Sequence, residues 1–402
     1  MKLGIIQQVL GLVFILAAIL GAVANKTNFC TMGAVSDWVN MGDTGRLRAW
    51  LLAITIAMIG VLILSATGVD FNSSFPPYLT ANFSWARYIV GGILFGIGMT
   101  LGSGCGYRTV VRIGAGNLKS VFVIVPMAIM AYLMTKTNFY YFVFGKYLVT
   151  PTTVALNDHG ISNQGVNSLL AGLLGLKNSA ALHLLVGGAI ALILLYTIFK
   201  SREFRTNFDN VLAGVVVGLV VVGGWYVTGG PLGHHWQNHV AFMDTPPNDV
   251  AVQSFTFINP TGEALQYLLS PSHFNLITFG IIALAGVLVG SFLYAVIART
   301  FRIEWFASFP DFIRHVIGGV LMGTGGVLDM GCTIGQGVTG VSTLAIGSIM
   351  TLISIVFGSA LTMKIQYYKL VYESKASFGA ALLSALVDMR LLPRGLRKLE
   401  AV

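Results

Sequence analysis

The chain is 402 residues long, 55% hydrophobic and only 10% charged, with a formal net charge of +9, 48 glycines and three cysteines. That composition excludes a water-soluble enzyme or binding domain and puts the chain in a lipid bilayer. No polar stretch is long enough to fold as a separate soluble domain.

Crossing ~30 Å of hydrocarbon takes about 20 apolar residues. In chain order, such windows lie near residues 3–24, 49–67, 121–135, 181–199, 211–227, 277–298 and 346–363. Two glycine-rich segments, 87–105 and 314–332, bring the expected total to about nine. Lys2, the first apolar run and the triplet Ala22, Val23, Ala24 imitate a secretory signal with its cleavage site. The apolar run is longer than the ~7–15 residues of a signal core, so it is read as a retained helix.

Lysine and arginine are enriched in cytoplasmic loops and so set the topology. There is none between Arg205 and Arg299. The polar loop 231–273 is therefore expected outside, with Lys200, Arg202, Arg205, Arg299 and Arg302 on cytoplasmic flanks. By the same bias Arg46 and Arg48 lie inside and the cation-free loop 68–86 outside. The amino terminus then starts outside, and the tail with Arg390, Arg394, Arg397 and Lys398 is cytoplasmic, in a bacterial inner membrane. Trp38, Trp85, Trp225, Trp236 and Trp305 are expected in interface belts.

The segment RYIVGGILFGIGMTLGSGC, ending at Cys105, is repeated as RHVIGGVLMGTGGVLDMGC, ending at Cys332. The offset is 227 residues, and nine of nineteen positions agree without a gap. It pairs Arg87 with Arg314, Gly91 with Gly318, Gly98 with Gly325 and Gly104 with Gly331. It also lays the window at 49–67, running outward, over a helix that charge bias sends inward. These features predict an all-α polytopic protein with an inverted-topology repeat, whose broken helices meet near the midplane. The expected division is a first repeat at 1–135, a connecting segment with one transmembrane helix at 136–205, a second repeat at 206–363 and a basic tail at 364–402. The glycines alone would also suit two full helices packed through small residues. The sequels GSGCGYR and MGCTIGQGVTG add further glycines, Gly104 and Gly106 in one, Gly331 and Gly335 in the other, where a spanning helix should continue. Unwound backbone at membrane depth must be covered or line a cavity. Each copy is therefore expected to dip in, break at its cysteine and hand over to a short re-entrant helix.

Cys30, Cys105 and Cys332 are the only cysteines, and none belongs to a CxxC pair. That disfavours a dithiol redox centre or a closed zinc site. His234, His235 and His239, in a loop without supporting carboxylates, make a poor metal site. A thiol of ordinary pKa, about 8.5, stays a neutral weak donor, which suits a soft, sulfur-bearing anion. Short helices restarting at the breaks would aim amide-rich amino termini at the same anion. Arg108 follows one break and Gln336 the other. Asp329, inside an apolar run, is either a proton carrier, a partner for neighbouring backbone, or a carboxyl buried in protonated form.

The chain resembles the YeeE/YedE family of sulfur-compound transport membrane proteins. The residues carrying the resemblance are GGILFGIGMTLGSGCGYR, its copy GGVLMGTGGVLDMGCTIGQGVTG, and NFCTMGAVSD around Cys30. The resemblance implies an hourglass-shaped inverted repeat that takes up thiosulfate past three central cysteines, matched here by Cys30, Cys105 and Cys332. It also implies a small cytoplasmic sulfur-carrier partner of the sulfurtransferase type, and some members are tied to selenium. Neither nucleic acid, cofactor nor catalysis is expected, and the absence of a nucleotide-binding motif excludes transport driven by this chain's own ATP hydrolysis. The alternatives are a channel or carrier for another small solute, such as a selenium compound, and a membrane protein that passes sulfur covalently as persulfides.

Overall fold

The computed structural model describes residues 4–176, 179–373 and 376–400; Lys2 and the first residue of the window 3–24, named above, lie outside them. The protein is nearly all helical. The helices are α1 (Ile5–Thr27), α2 (Thr31–Ser36), α3 (Gly45–Ala66), α4 (Trp85–Leu101), α5 (Gly106–Gly114), α6 (Val121–Lys136), α7 (Val166–Leu174) and α8 (Ala180–Phe199). They continue with α9 (Arg202–Thr206), α10 (Phe208–Gly229), α11 (Pro231–Ala241), α12 (Asn259–Leu269), α13 (Phe279–Ile297), α14 (Phe309–Leu328), α15 (Ile346–Tyr372) and α16 (Phe378–Asp388). A π-helical segment, Gly335–Gly340, stands between α14 and α15. Two short strands, β1 (Asn82–Ser84) and β2 (Thr153–Ala155), pair antiparallel, with Phe83 opposite Val154.

Among the described residues, eight helical stretches are long and apolar enough to cross a membrane. The sequence led to about nine. The one that falls short is α14, whose first two turns carry Asp311, Arg314 and His315 and lower its mean hydropathy.

Helices meet through small residues, as membrane helices must when no hydrophobic effect drives them together. The buried stripe of α1, Val9, Val13, Ala17, Leu20, Gly21 and Ala24, recurs every three or four residues and therefore faces one way. It meets α13, where a Cβ on Gly290 would stand 1.9 Å from the Ala18 carbonyl oxygen. In the same manner Gly214 and Gly218 of α10 press on the Ala49 and Ala53 carbonyls of α3. At the centre α4 and α14 cross antiparallel: Gly91 meets Gly325, and Gly98 meets Gly318, backbone against backbone. On the flanks, Gly92 and Gly96 of α4 seat against α15, while Gly319 and Gly323 of α14 seat against α6.

Two expectations need correction. Trp225 and Trp236 are 0% and 2% exposed and belong to the core, whereas Trp38, Trp85 and Trp305 are exposed. Trp225 is buried because α10 packs on the connection after α3, where Phe71 and Tyr78 meet its indole edge to face. The loop 231–273 is likewise more than a polar excursion. It contains α11 and α12, and between them Val252, Phe255, Phe257 and Ile258 are buried in the main core.

Candidate functional site

The repeated segment adopts the same backbone twice. After α4, Ser103 takes a left-handed conformation (φ 59°), and after α14 the equivalent Met330 does so too (φ 68°). Such a conformation is uncommon for residues other than glycine and marks a position the surroundings hold. The hydrogen bonds match as well. Gly104 N–H donates to the Met99 carbonyl at 3.0 Å and Gly331 N–H to the Gly326 carbonyl at 2.7 Å. Thr109 N–H reaches the Cys105 carbonyl at 2.9 Å, and Gln336 N–H the Cys332 carbonyl at 2.7 Å. Each break thus ends a long helix, turns sharply and presents a cysteine immediately before new helical structure.

Further along, the correspondence continues with one more residue between the copies. Gly116 and Leu344 both have positive φ. The next residues, Asn117 and Ala345, form isolated bridges to Glu304 and Gly165.

Cys105 and Cys332 are wholly buried, and Cys30 is 7% exposed. Cys105 is the residue before α5 and lies within electrostatic reach of both Cys30 and Cys332, with the Thr333 hydroxyl beside its thiol. Cys332 Sγ accepts the Gly335 N–H at 3.3 Å. Cys30, the residue before α2, opens on a cavity of about 560 Å³ lined also by Asn28, Ser103, Arg108 and Arg112. Arg46 of that cavity is held by the buried carboxylate of Asp37.

The arginines have structural anchors as well. Arg108 donates to the Ala24 carbonyl (3.0 Å) and to Asn28 Oδ1 (2.7 Å), tying the end of α1 to α5. Arg112 donates to the Ser103 carbonyl at 2.6 Å and so clamps the left-handed turn. Gln336 donates to the Asp329 carbonyl, while its own Oε1 is buried without a partner. The four glycines are placed by close approach: a Cβ on Gly106 would stand 2.7 Å from Ile258 Cδ1, one on Gly335 2.4 Å from Thr256 Oγ1, and one on Gly331 3.0 Å from Gln336 Cγ. Gly104 is looser, 3.3 Å from Arg108 Cγ.

The structure therefore brings Cys30 and Cys332 both within electrostatic reach of Cys105, with Arg108 on the helix that follows Cys105 and Gln336 four residues after Cys332. Sequence reasoning missed the segment Thr256–Asn259. Ile258 is the residue before α12, as Cys30 is before α2, and it packs against Gly106 and Gly326. Only Phe29 and Phe257 agree between the two stretches, too little to reveal the correspondence. Tyr78 was missed as well: its buried hydroxyl lacks a partner and lies within electrostatic range of Cys332 and Asp329. No group of three His, Cys, Asp or Glu that could hold a metal occurs among the described residues, and the histidines of α11 form none.

A bundle of spanning helices, interrupted at its centre by glycine-rich breaks and short helices, is the build of a membrane transport protein, with irregular backbone only where a solute passes or protein covers it. The chain belongs to the Sulphur transport family, whose model matches residues 26–361, the family its motifs resemble. It is 24% identical over 350 residues to the thiosulfate transporter TsuA of Escherichia coli (strain K12), covering 80% of this chain and 85% of that protein. It is also 24% identical over 363 residues to the thiosulfate transporter TsuA of Spirochaeta thermophila, covering 84% and 93% respectively.

Proposed function

We propose that the chain imports thiosulfate, or a closely related reduced-sulfur anion, along a path that passes Cys332, then Cys105, then Cys30. The observation that carries this reading is the position of Cys105, buried at a repeated helix break within reach of both other thiols. A dianion leaving water loses a large hydration energy and needs donors in its place. Neutral thiols, nearby hydroxyls and the first amides of short helices supply them without fixed charge. Each bond is weak, so the anion can leave as readily as it enters. At the Cys30 end the wider cavity with Arg108 and Arg112 draws the anion onward.

The reading includes two repeats of opposite orientation in an hourglass-shaped inner-membrane protein, amino terminus outside and carboxyl terminus inside. The reciprocal contacts of Gly91 with Gly325 and Gly98 with Gly318 are what a two-fold relation between α4 and α14 requires, because Gly91 is equivalent to Gly318 and Gly98 to Gly325. The packing of α1 on α13 and α10 on α3 follows the same rule. The 560 Å³ cavity then faces the cytoplasm, where a small sulfur-carrier protein of the sulfurtransferase kind would receive the anion.

The test is growth on thiosulfate, together with labelled uptake, in a bacterium lacking its own sulfate and thiosulfate permeases, expressing the chain or its Cys332→Ala variant at matched membrane levels. Uptake by the intact chain and its loss in the variant support the reading. A well-inserted chain that moves no thiosulfate overturns it, and uptake that survives Cys332→Ala removes the thiol path.

A further inference from the structure

The carboxyl of Asp329 stands three residues before Cys332 and within its electrostatic reach, where an anion path has no use for a negative charge. It caps the end of α14 and is 0% exposed. Oδ1 accepts the Gly331 N–H at 3.1 Å, and Oδ2 has no partner. Its main-chain oxygen takes the Gln336 side-chain amide. Its Cβ packs against Gly91 of α4, 2.8 Å from where a Cβ on that glycine would stand.

Among the described residues, four titratable or charged groups face it: Arg87 and Tyr88 from α4, Tyr78 from the connection between α3 and α4, and Cys332 from the break itself. Only Arg87 is a cation, and its Nε donates at 2.7 Å to the Leu328 carbonyl. Its guanidinium carbon lies 6.0 Å from the rings of both Tyr88 and Tyr140. Asp329 forms no ion pair among the described residues. A negative carboxylate here would sit at the negative end of a helix dipole, without a counter-charge in contact, three residues from the first thiol a dianion must reach.

We propose that Asp329 is a proton-binding site on the anion path: protonated at Oδ2, it admits the anion and offers it a donor; ionised, it repels the anion from Cys332. This rests on the proposed transport function. From the ionised state one proton binds as the anion arrives, and no covalent bond is made or broken in the anion.

Thiosulfate stays a dianion across neutral pH, so any pH dependence belongs to the protein. Uptake into cells or proteoliposomes is measured between about pH 5 and pH 8.5 outside, for the intact chain, Asp329→Asn and Asp329→Glu. The intact chain and Asp329→Glu are expected to lose uptake by about tenfold per pH unit on the alkaline limb. Asp329→Asn, which keeps the shape and cannot ionise, is expected to be flat. Parallel profiles for Asp329→Asn and the intact chain would overturn the proposal, as would an intact chain indifferent to pH. An intact chain that moves no thiosulfate at any pH would instead sink the transport reading itself. If Asp329→Asn does not reach the membrane, purified intact chain in weak buffer, at a pH on the alkaline limb of its uptake profile, decides: adding thiosulfate should draw up to about one proton per chain from solution, and no proton uptake there overturns the proposal.

Discussion

Replacing Gly318 by alanine tests whether the crossing of α4 and α14 positions the breaks. A Cβ there would lie 2.5 Å from the Gly102 nitrogen, 2.8 Å from the Gly98 oxygen and 2.9 Å from Gly102 Cα, all main-chain atoms that no rotamer change can move aside. Ordinary contact needs about 3.4 Å, so the helices must part by roughly 0.9 Å. Overpacking of this kind costs about 1–3 kcal/mol, against which alanine recovers up to about 1 kcal/mol of helix propensity. The net loss is about 0–3 kcal/mol. Gly11 and Gly188 supply the opposite sign: nothing lies within 4 Å of either Cβ position, so Gly11→Ala and Gly188→Ala should gain up to about 1 kcal/mol. Thermal unfolding of the three variants in one detergent separates the cases, with Gly318→Ala melting below the other two. Gly102 opens the break that ends at Cys105, and displacements near 1 Å at a reacting or binding centre cost up to about 100-fold. Thiosulfate uptake by Gly318→Ala should therefore fall at least tenfold while the controls transport normally. If Gly318→Ala melts and transports like Gly11→Ala, the crossing does not set the geometry of the site.

Cys105→Ala should reduce uptake by about 10–150-fold, the worth of one hydrogen bond to a charged group, while Cys105→Ser, which restores a donor, should recover part of it; equal loss in both would point to sulfur chemistry rather than donation. Ile258→Cys removes apolar bulk beside Gly106 and puts a thiol before α12, as Cys30 stands before α2, so initial uptake should hold or rise, whereas Ile258→Trp should block it. Asp37→Asn leaves Arg46 without its partner and should lower stability by about 1–3 kcal/mol, read as a drop in melting temperature, with salt reducing the difference.

The spans were legible because lipid imposes a simple rule, and runs such as the one inside α13 satisfy it without ambiguity. The breaks were legible because the same glycine ladder was written twice, and a ladder that overruns into Gly-Cys-Gly has no place in an uninterrupted helix. The role of 256–259 was not legible, because it depends on where Ile258 comes to rest, and an isoleucine announces only that it will be buried. The two buried tryptophans misled for a related reason: an indole at a helix end suits a membrane interface or a covered loop equally, and the connection that covers Trp225 is distant in sequence. The anchors of Arg108 and Arg112 are carbonyls at Ala24 and Ser103, and every residue has a carbonyl, so no pattern of side chains could point to them.

The π-helical segment Gly335–Gly340 records how the second copy came to differ from the first. Through the glycine ladder the copies are separated by 227 positions, as at Cys105 and Cys332, and just after the π segment by 228, as at Gly116 and Leu344. The second copy is one residue longer than the first between these points, in the stretch where the Thr339 N–H reaches back five residues to the Ile334 carbonyl. A widened turn is how a helix stores a single extra residue without shifting what lies beyond it. The extra residue is thus taken up within the turn after Cys332, and α15 begins 228 positions after Leu118, the residue that leads into α6. A chain shortened by one residue here, at Gly337 for instance, should still close the same bundle while drawing Gln336 back into a narrower turn.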